Sequence, residues 1–91
     1  MLDFEWSISK AGSNLRKHGV AFEEASTAFR DPLSITIPDS EHSEQEARFL
    51  LIGLSLSGRL LVVSHFEKGD TIRVISARIA TRAERREYEK I

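Results

Sequence analysis

The chain has no cysteine among its 91 residues. That removes disulfides and thiolate metal ligands and makes a reducing cytoplasm the expected setting. It has two prolines and five glycines, the glycines standing singly, so neither a low-complexity tract nor a glycine-rich phosphate loop can be drawn. No apolar run approaches the roughly 20 residues of a membrane span. No leader is expected either, since Met1-Leu2-Asp3-Phe4-Glu5-Trp6 is acidic and lacks an apolar core. There is no HExxH, no DxD and no cysteine pair, and His18, His42 and His65 share no ligand spacing. No metal and no cofactor is therefore expected.

What is present fits one globular domain over residues 1–91: 41% of the residues are apolar and 30% charged. The net charge of −1 hides an asymmetry. Residues 1–47 carry four basic and nine acidic side chains, whereas residues 48–91 carry nine basic and five acidic ones. A local basic face built by the second half is thus compatible with a near-neutral total.

Phe4-Glu5-Trp6 reads as a short strand with Phe4 and Trp6 on one face. Ser7 or Ser9 can cap a helix that runs to about His18 and stops on Gly19. Phe22, Ala25, Ala28 and Phe29 form the apolar stripe of a second helix, ended by Arg30-Asp31-Pro32. Residues 33–37 are a β-branched run stopped by Pro38-Asp39, and residues 38–46 read as an acidic, solvated loop. Three more strands follow over residues 48–55, 60–66 and 71–77, turned at Ser57-Gly58 and at Glu67-Lys68-Gly69-Asp70. Thr81-Arg82-Ala83-Glu84 has the form of a capping box, which starts a helix from Arg82 towards Tyr88. The order predicts an α+β domain: an N-terminal strand and a two-helix hairpin packed on an antiparallel sheet of about four strands, with a C-terminal helix.

The chemistry concentrates at the last strand and the helix after it, where Arg73, Arg78 and Arg82 fall close together. Arginine is always charged and grips phosphate through two parallel N–H bonds, so this junction is a candidate for holding a nucleic-acid backbone; solvated arginines that keep a strand from aggregating are the plainer reading. Strict alternation sets Arg73 and Arg78 on opposite faces, and a bulge around Ser76-Ala77, or the bend into the helix, is needed to unite them. If they unite with Arg48, RNA cleavage without metal becomes feasible. The 2′-hydroxyl is a nucleophile already beside its own phosphate, and arginines can stabilise the pentacovalent state. His65 and Glu46 are the candidate proton-transfer groups; a plain strand histidine and a partner for Arg48 are the alternatives. Trp6 fits the core, or a base-stacking role.

The ordered set Phe4-Glu5-Trp6, Asn14-Leu15-Arg16-Lys17-His18-Gly19-Val20, Phe22-Glu23-Glu24-Ala25, Asp31-Pro32-Leu33, Arg48-Phe49, Ile52-Gly53, Gly58-Arg59-Leu60-Leu61-Val62-Val63, Arg73-Val74-Ile75-Ser76-Ala77-Arg78 and Thr81-Arg82-Ala83-Glu84-Arg85 resembles the BrnT family of toxins from bacterial type II toxin–antitoxin systems. The resemblance implies a RelE-like ribonuclease fold and metal-independent RNA cleavage that arrests translation. It implies a BrnA antitoxin, a ribbon-helix-helix DNA-binding protein through which alone the complex reaches operator DNA. Carried over position by position, the family's basic positions match Arg48, Arg73, Arg78 and Arg82, and its Asn-Leu-Arg-Lys-His-Gly stretch matches Asn14 to Gly19, where Lys17 and His18 either act or set the turn; the family does not fix the base. With the reading of the residues, Arg73 and Arg78 are expected to hold the phosphate, His65 or Glu46 to transfer the proton, and Arg48, Arg82, Lys17 and Trp6 to contact RNA. The sequence departs from the family pattern at Ser7, Gly12 and Ile79. A toxin-fold binding module without catalysis, acting with the antitoxin as co-repressor, is the alternative.

Overall fold

The first helix forms where its caps dictate. In the computed structural model, which describes residues 2–43 and 45–90, strand β1 (Asp3–Glu5) leads into helix α1 (Ile8–His18). Ser7, of the two candidate serines, caps α1 by accepting the Lys10 N–H at 3.2 Å. Gly19 ends it with φ 68°, a left-handed conformation that costs a β-carbon-bearing residue strain, and donates its N–H to the Leu15 carbonyl. Helix α2 (Phe22–Thr27) tightens into a 3-10 turn at Ala28–Arg30. Strands β2 (Ile35–Pro38), β3 (Arg48–Leu54), β4 (Leu60–Lys68) and β5 (Thr71–Ile79) follow, and helix α3 (Arg82–Glu89) closes the chain with both halves of its capping box formed. Met1, Glu44 and Ile91 lie outside the described residues, so the expectations for the acidic loop at Glu44 and for the two ends of the 1–91 domain do too.

The sheet differs from the expected antiparallel one of about four strands. It has five strands in the order β1-β5-β4-β3-β2, and β1 joins it as a parallel edge strand, with Asp3 opposite Thr71 and Glu5 opposite Arg73. The physical reason lies in the outer edge of β5, whose backbone groups need partners. β1 serves the first three residues, and the buried Asn14 amide serves the edge further on. Its Nδ2 donates to the Ala77 carbonyl at 2.9 Å and to the Val20 carbonyl at 2.9 Å, while its Oδ1 accepts the Ala77 N–H at 3.1 Å. Pro38, which has no N–H, sits on the opposite edge strand, where that lack is tolerated. The β4–β5 connection shrinks to a tight turn at Gly69 (φ 62°), since Glu67 and Lys68 pair with Ile72 and Thr71.

Two apolar layers flank the sheet. On one face Val20, Phe22 and Ala25 pack on Leu61, Val63, Val74 and Ala77, with Phe4, Trp6 and Phe29 at the margin. On the other, a smaller cluster of Ile52, Leu60 and Val62 is covered by Ile35, Ala80 and Tyr88. α3 is held there by polar anchors: the Tyr88 hydroxyl donates to Asp31 Oδ2 at 2.6 Å, and that carboxylate also takes the Leu54 and Leu33 N–H groups. Gly53 permits the close approach of the turn before β2, because a β-carbon there would stand 2.8 Å from the Ala28 carbonyl oxygen.

Candidate nucleic-acid interface

α3 covers only one end of the second sheet face; the other end lies open. Register decides which side chains occupy it. Ser64 is opposite Ser76, but His65 is opposite Val74, so Ile75 is an extra residue in β5, a β-bulge. The bulge shifts alternation by one. Val74 and Ala77 both remain on the α1–α2 side, and Arg73 and Arg78 therefore both point to the open face. Arg48, Phe66 and Arg73 form one cross-strand row, since Arg48 pairs with Phe66 and Phe66 with Arg73. One row in, Leu50 is opposite Ser64 and Ser64 opposite Ser76, and next comes Val62 opposite Arg78.

The depression on this face is lined by Asp39, His42, Arg48, Ser64, Ser76 and Arg78, among others. The loop between β2 and β3 forms its rim, where Glu41, His42, Gln45 and Glu46 gather beside Arg48. Each arginine is held by a carboxylate. Arg48 Nε donates to Glu46 Oε1 at 3.0 Å, and Arg73 lies 3.7 Å from Glu5. Arg78 grips Glu84 with both terminal nitrogens, at 2.7 and 2.9 Å. The Arg78 guanidinium, together with the Thr81 N–H, holds the Glu84 carboxyl down to about 2 against the opposing effect of burial. A further outer N–H reaches the Ile79 carbonyl at 3.5 Å, which leaves Nε–H and one outer N–H of Arg78 for another acceptor, because a guanidinium carries five donors.

The other expected residues stand elsewhere. His65 does not join the arginines: alternation turns it to the α1–α2 face, where its ring lies 4.8 Å from Phe29 and its Nδ1 is 3.1 Å from the Val63 carbonyl. Burial pushes its pKa down, with Val63 and Glu67 opposing, so it is held as a neutral ring. Trp6 packs edge-on against Phe22 at 5.8 Å, also on that side. Lys17 is exposed in the last turn of α1, on the helix that covers the far face, and Arg82 is exposed at the start of α3. Arg48, Arg73, Arg78 and Glu46 are thus brought to the open side, while His65, Trp6 and Lys17 are not. Three contributors were passed over by the sequence reading: Phe66, between two arginines; Ser64; and the Asp39-x-x-His42 pair. Only the last left a trace, as an i, i+3 acid and imidazole just after Pro38.

The class of protein so defined is a small α+β domain whose last helix leaves an arginine-lined sheet face open. The family model of the ribonuclease toxin BrnT of type II toxin–antitoxin systems matches residues 6–84, and the chain belongs to that family. The 1.1 Å crystal structure of the Brucella abortus ribonuclease toxin BrnT is similar in fold, with a TM-score of 0.70 at 21% sequence identity, over 90% of this chain and 100% of that one. No curated protein matches the chain. Membership makes this a ribonuclease toxin with an antitoxin partner. Among the described residues no helix is long and apolar enough to cross a membrane.

Proposed function

We propose that the chain cleaves RNA without a metal ion, by attack of a 2′-hydroxyl on the adjacent phosphorus, and so stops translation in the cytoplasm. One observation carries the reading: the bulge at Ile75 puts Arg73 and Arg78 on the same open face as Arg48. The arginines neutralise the phosphate as the bond from O2′ to phosphorus forms and the bond to O5′ breaks, which leaves a 2′,3′-cyclic phosphate and a 5′-hydroxyl. Phe66, half-buried between Arg48 and Arg73, offers a ring for a base to stack on. Arg82 extends the positive surface at the start of α3. The proton acceptor belongs to the rim loop, whose Asp39, Glu41, His42 and Glu46 stand at this face. His65 we assign to packing.

The partner that restrains this activity is, in the same proposal, a BrnA-type ribbon-helix-helix antitoxin, through which alone operator DNA is reached. The test is incubation of the purified chain with labelled RNA in excess EDTA, alone and in a translating extract, beside Arg73→Ala and Arg78→Lys. Cyclic phosphate ends from the parent are expected, with each variant slower by about 10²-fold, the usual cost of one lost transition-state donor. Arg78→Lys keeps the charge and loses the two-pronged grip. RNA left intact by the parent in both settings, with growth unaffected on induction, would favour the non-catalytic co-repressor instead.

A further inference from the structure

The rim of the arginine face carries an acid–imidazole pair, Asp39 and His42. His42 Nδ1 lies 3.0 Å from Asp39 Oδ2. A carboxylate can only accept, so the proton sits on Nδ1 and Nε2 keeps its lone pair. The two partners differ in exposure in the useful sense: the Asp39 side chain is 13% exposed and the His42 side chain 62%. The carboxylate is sheltered and the ring is presented.

The pair is also fixed to the sheet. The Asp39 N–H donates to the Arg48 carbonyl at 2.8 Å, and the His42 N–H donates to the Asp39 carbonyl at 3.2 Å. Ser43 Oγ completes the loop, donating to the Asp39 carbonyl at 2.7 Å and accepting the Arg48 N–H at 2.9 Å. Asp39 and His42 therefore travel with the start of β3, which carries Arg48, and they line one depression with Ser64, Ser76 and Arg78. Among the described residues, the charged groups around the ring are Asp39, Glu41 and Glu46 from the loop, Arg48 from β3 and Arg78 from β5. Of the rim acids, Glu46 is engaged in orienting Arg48. An imidazole with one nitrogen anchored on a carboxylate and the other free has the arrangement of a general base.

We propose that His42, oriented by Asp39, is the catalytic residue that removes the proton from the 2′-hydroxyl. The inference rests on the ribonuclease reading above. His42 Nε2 takes the proton as the O2′–phosphorus bond forms. The electron pair of the broken bond stays on O5′, which takes a proton from water at this open face. The imidazolium then returns its proton to water. Asp39 is a positioning residue that holds the ring by Nδ1 and so keeps Nε2 as the nitrogen presented to the substrate.

The test measures cleavage of a labelled RNA by the parent, His42→Ala and Asp39→Asn, with and without added imidazole. It also measures binding of the same oligonucleotide carrying 2′-deoxy sugars, which cannot be cut. His42→Ala is expected to lose about 10²-fold or more in kcat, the usual share of a general base. Its binding of the deoxy oligonucleotide should stay within about twofold of the parent, and imidazole should restore part of the rate. Asp39→Asn should lose about tenfold in kcat with KM unchanged. A His42→Ala protein that cuts as fast as the parent, while Arg73→Ala does not cut, overturns the assignment and leaves the nuclease standing. A slow variant that imidazole does not restore, or that no longer binds the oligonucleotide, overturns it as well. A parent that cuts nothing in either setting removes the nuclease reading and this inference together.

Discussion

Glu84 joins α3 to the strand that carries the arginines, and replacing it with glutamine isolates the charge in that joint. Glutamine keeps the side-chain length and one oxygen, so the Thr81 N–H, which Glu84 Oε1 accepts at 2.8 Å, retains an acceptor. What disappears is the negative charge facing Arg78. The Glu84 carboxyl is lowered from 4.5 to about 2, first by the Arg78 hydrogen bonds. At about 1.4 kcal/mol per unit, the shift caps the contribution at about 3 kcal/mol. Arg78 is 39% exposed, so water screens the pair, and we expect Glu84→Gln to cost about 1–2 kcal/mol at neutral pH.

The pH dependence supplies the check. A carboxyl with a depressed folded value stabilises fully above its unfolded value of 4.5, and that stability is lost as pH falls towards about 2. Urea unfolding of parent and variant should therefore differ by the full amount at pH ~7 and by less than half of it at pH ~3. The variant's unfolding slope should match the parent's, which shows that the unfolded state is unaltered. A gap that stays constant between those two pH values would refute the reasoning, because the lost stability would then come from packing or capping and not from the Arg78 charge.

Tyr88 is the sole tyrosine, so its phenolate absorbance reports one site. Its titration should fall near 12 and not 10, chiefly because its hydroxyl is bonded to Asp31, and Tyr88→Phe should cost about 1 kcal/mol in urea unfolding. Asp31 keeps the Leu54 and Leu33 N–H groups in that variant, so a larger loss would point to α3 undocking. His65→Phe should cleave RNA within about threefold of the parent, since the ring is on the covered face. The parent should also lose stability as pH falls below about 6.5, where the unfolded chain takes up a proton that the buried ring resists, and His65→Phe should lack that component. Cleavage abolished in a folded His65→Phe protein would return His65 to the site.

Most elements were legible because their signals are local. The Ser7 cap, the Gly19 stop and the Thr81–Glu84 box each lie within four residues of what they control, and the structure has all three. β1 was visible as a strand, yet its pairing was not, because three residues carry no record of which edge they join. The role of Asn14 was illegible for the same reason. A helical asparagine announces nothing until Ala77 arrives 63 residues later to be bonded by both ends of its amide. Arg48 beside Glu46 was readable from their spacing, whereas the distant pairs Glu24–Arg59 and Asp31–Tyr88 were not. Their side chains, polar and unpatterned in sequence, acquire meaning only when hairpin and helix ends meet.

The candidate site turned on one residue that pattern reading cannot place. With strict alternation, β5 has to choose: keeping both Ile72 and Val74 in the core sends Arg73 outward and brings Arg78 to the helix side. The bulge at Ile75 removes the choice, so Ile72, Val74 and Ala77 are buried while Arg73 and Arg78 share the open face. β4 needs no such device, and its alternation is read in full: Leu61, Val63 and His65 face α1 and α2, and Val62 and Ser64 face the other way. The same regularity that makes β4 legible is what withdraws His65 from the arginines. An imidazole for this face must then come from outside the strands. The β2–β3 loop, tied to β3 through Asp39 and Ser43, is where the chain supplies one.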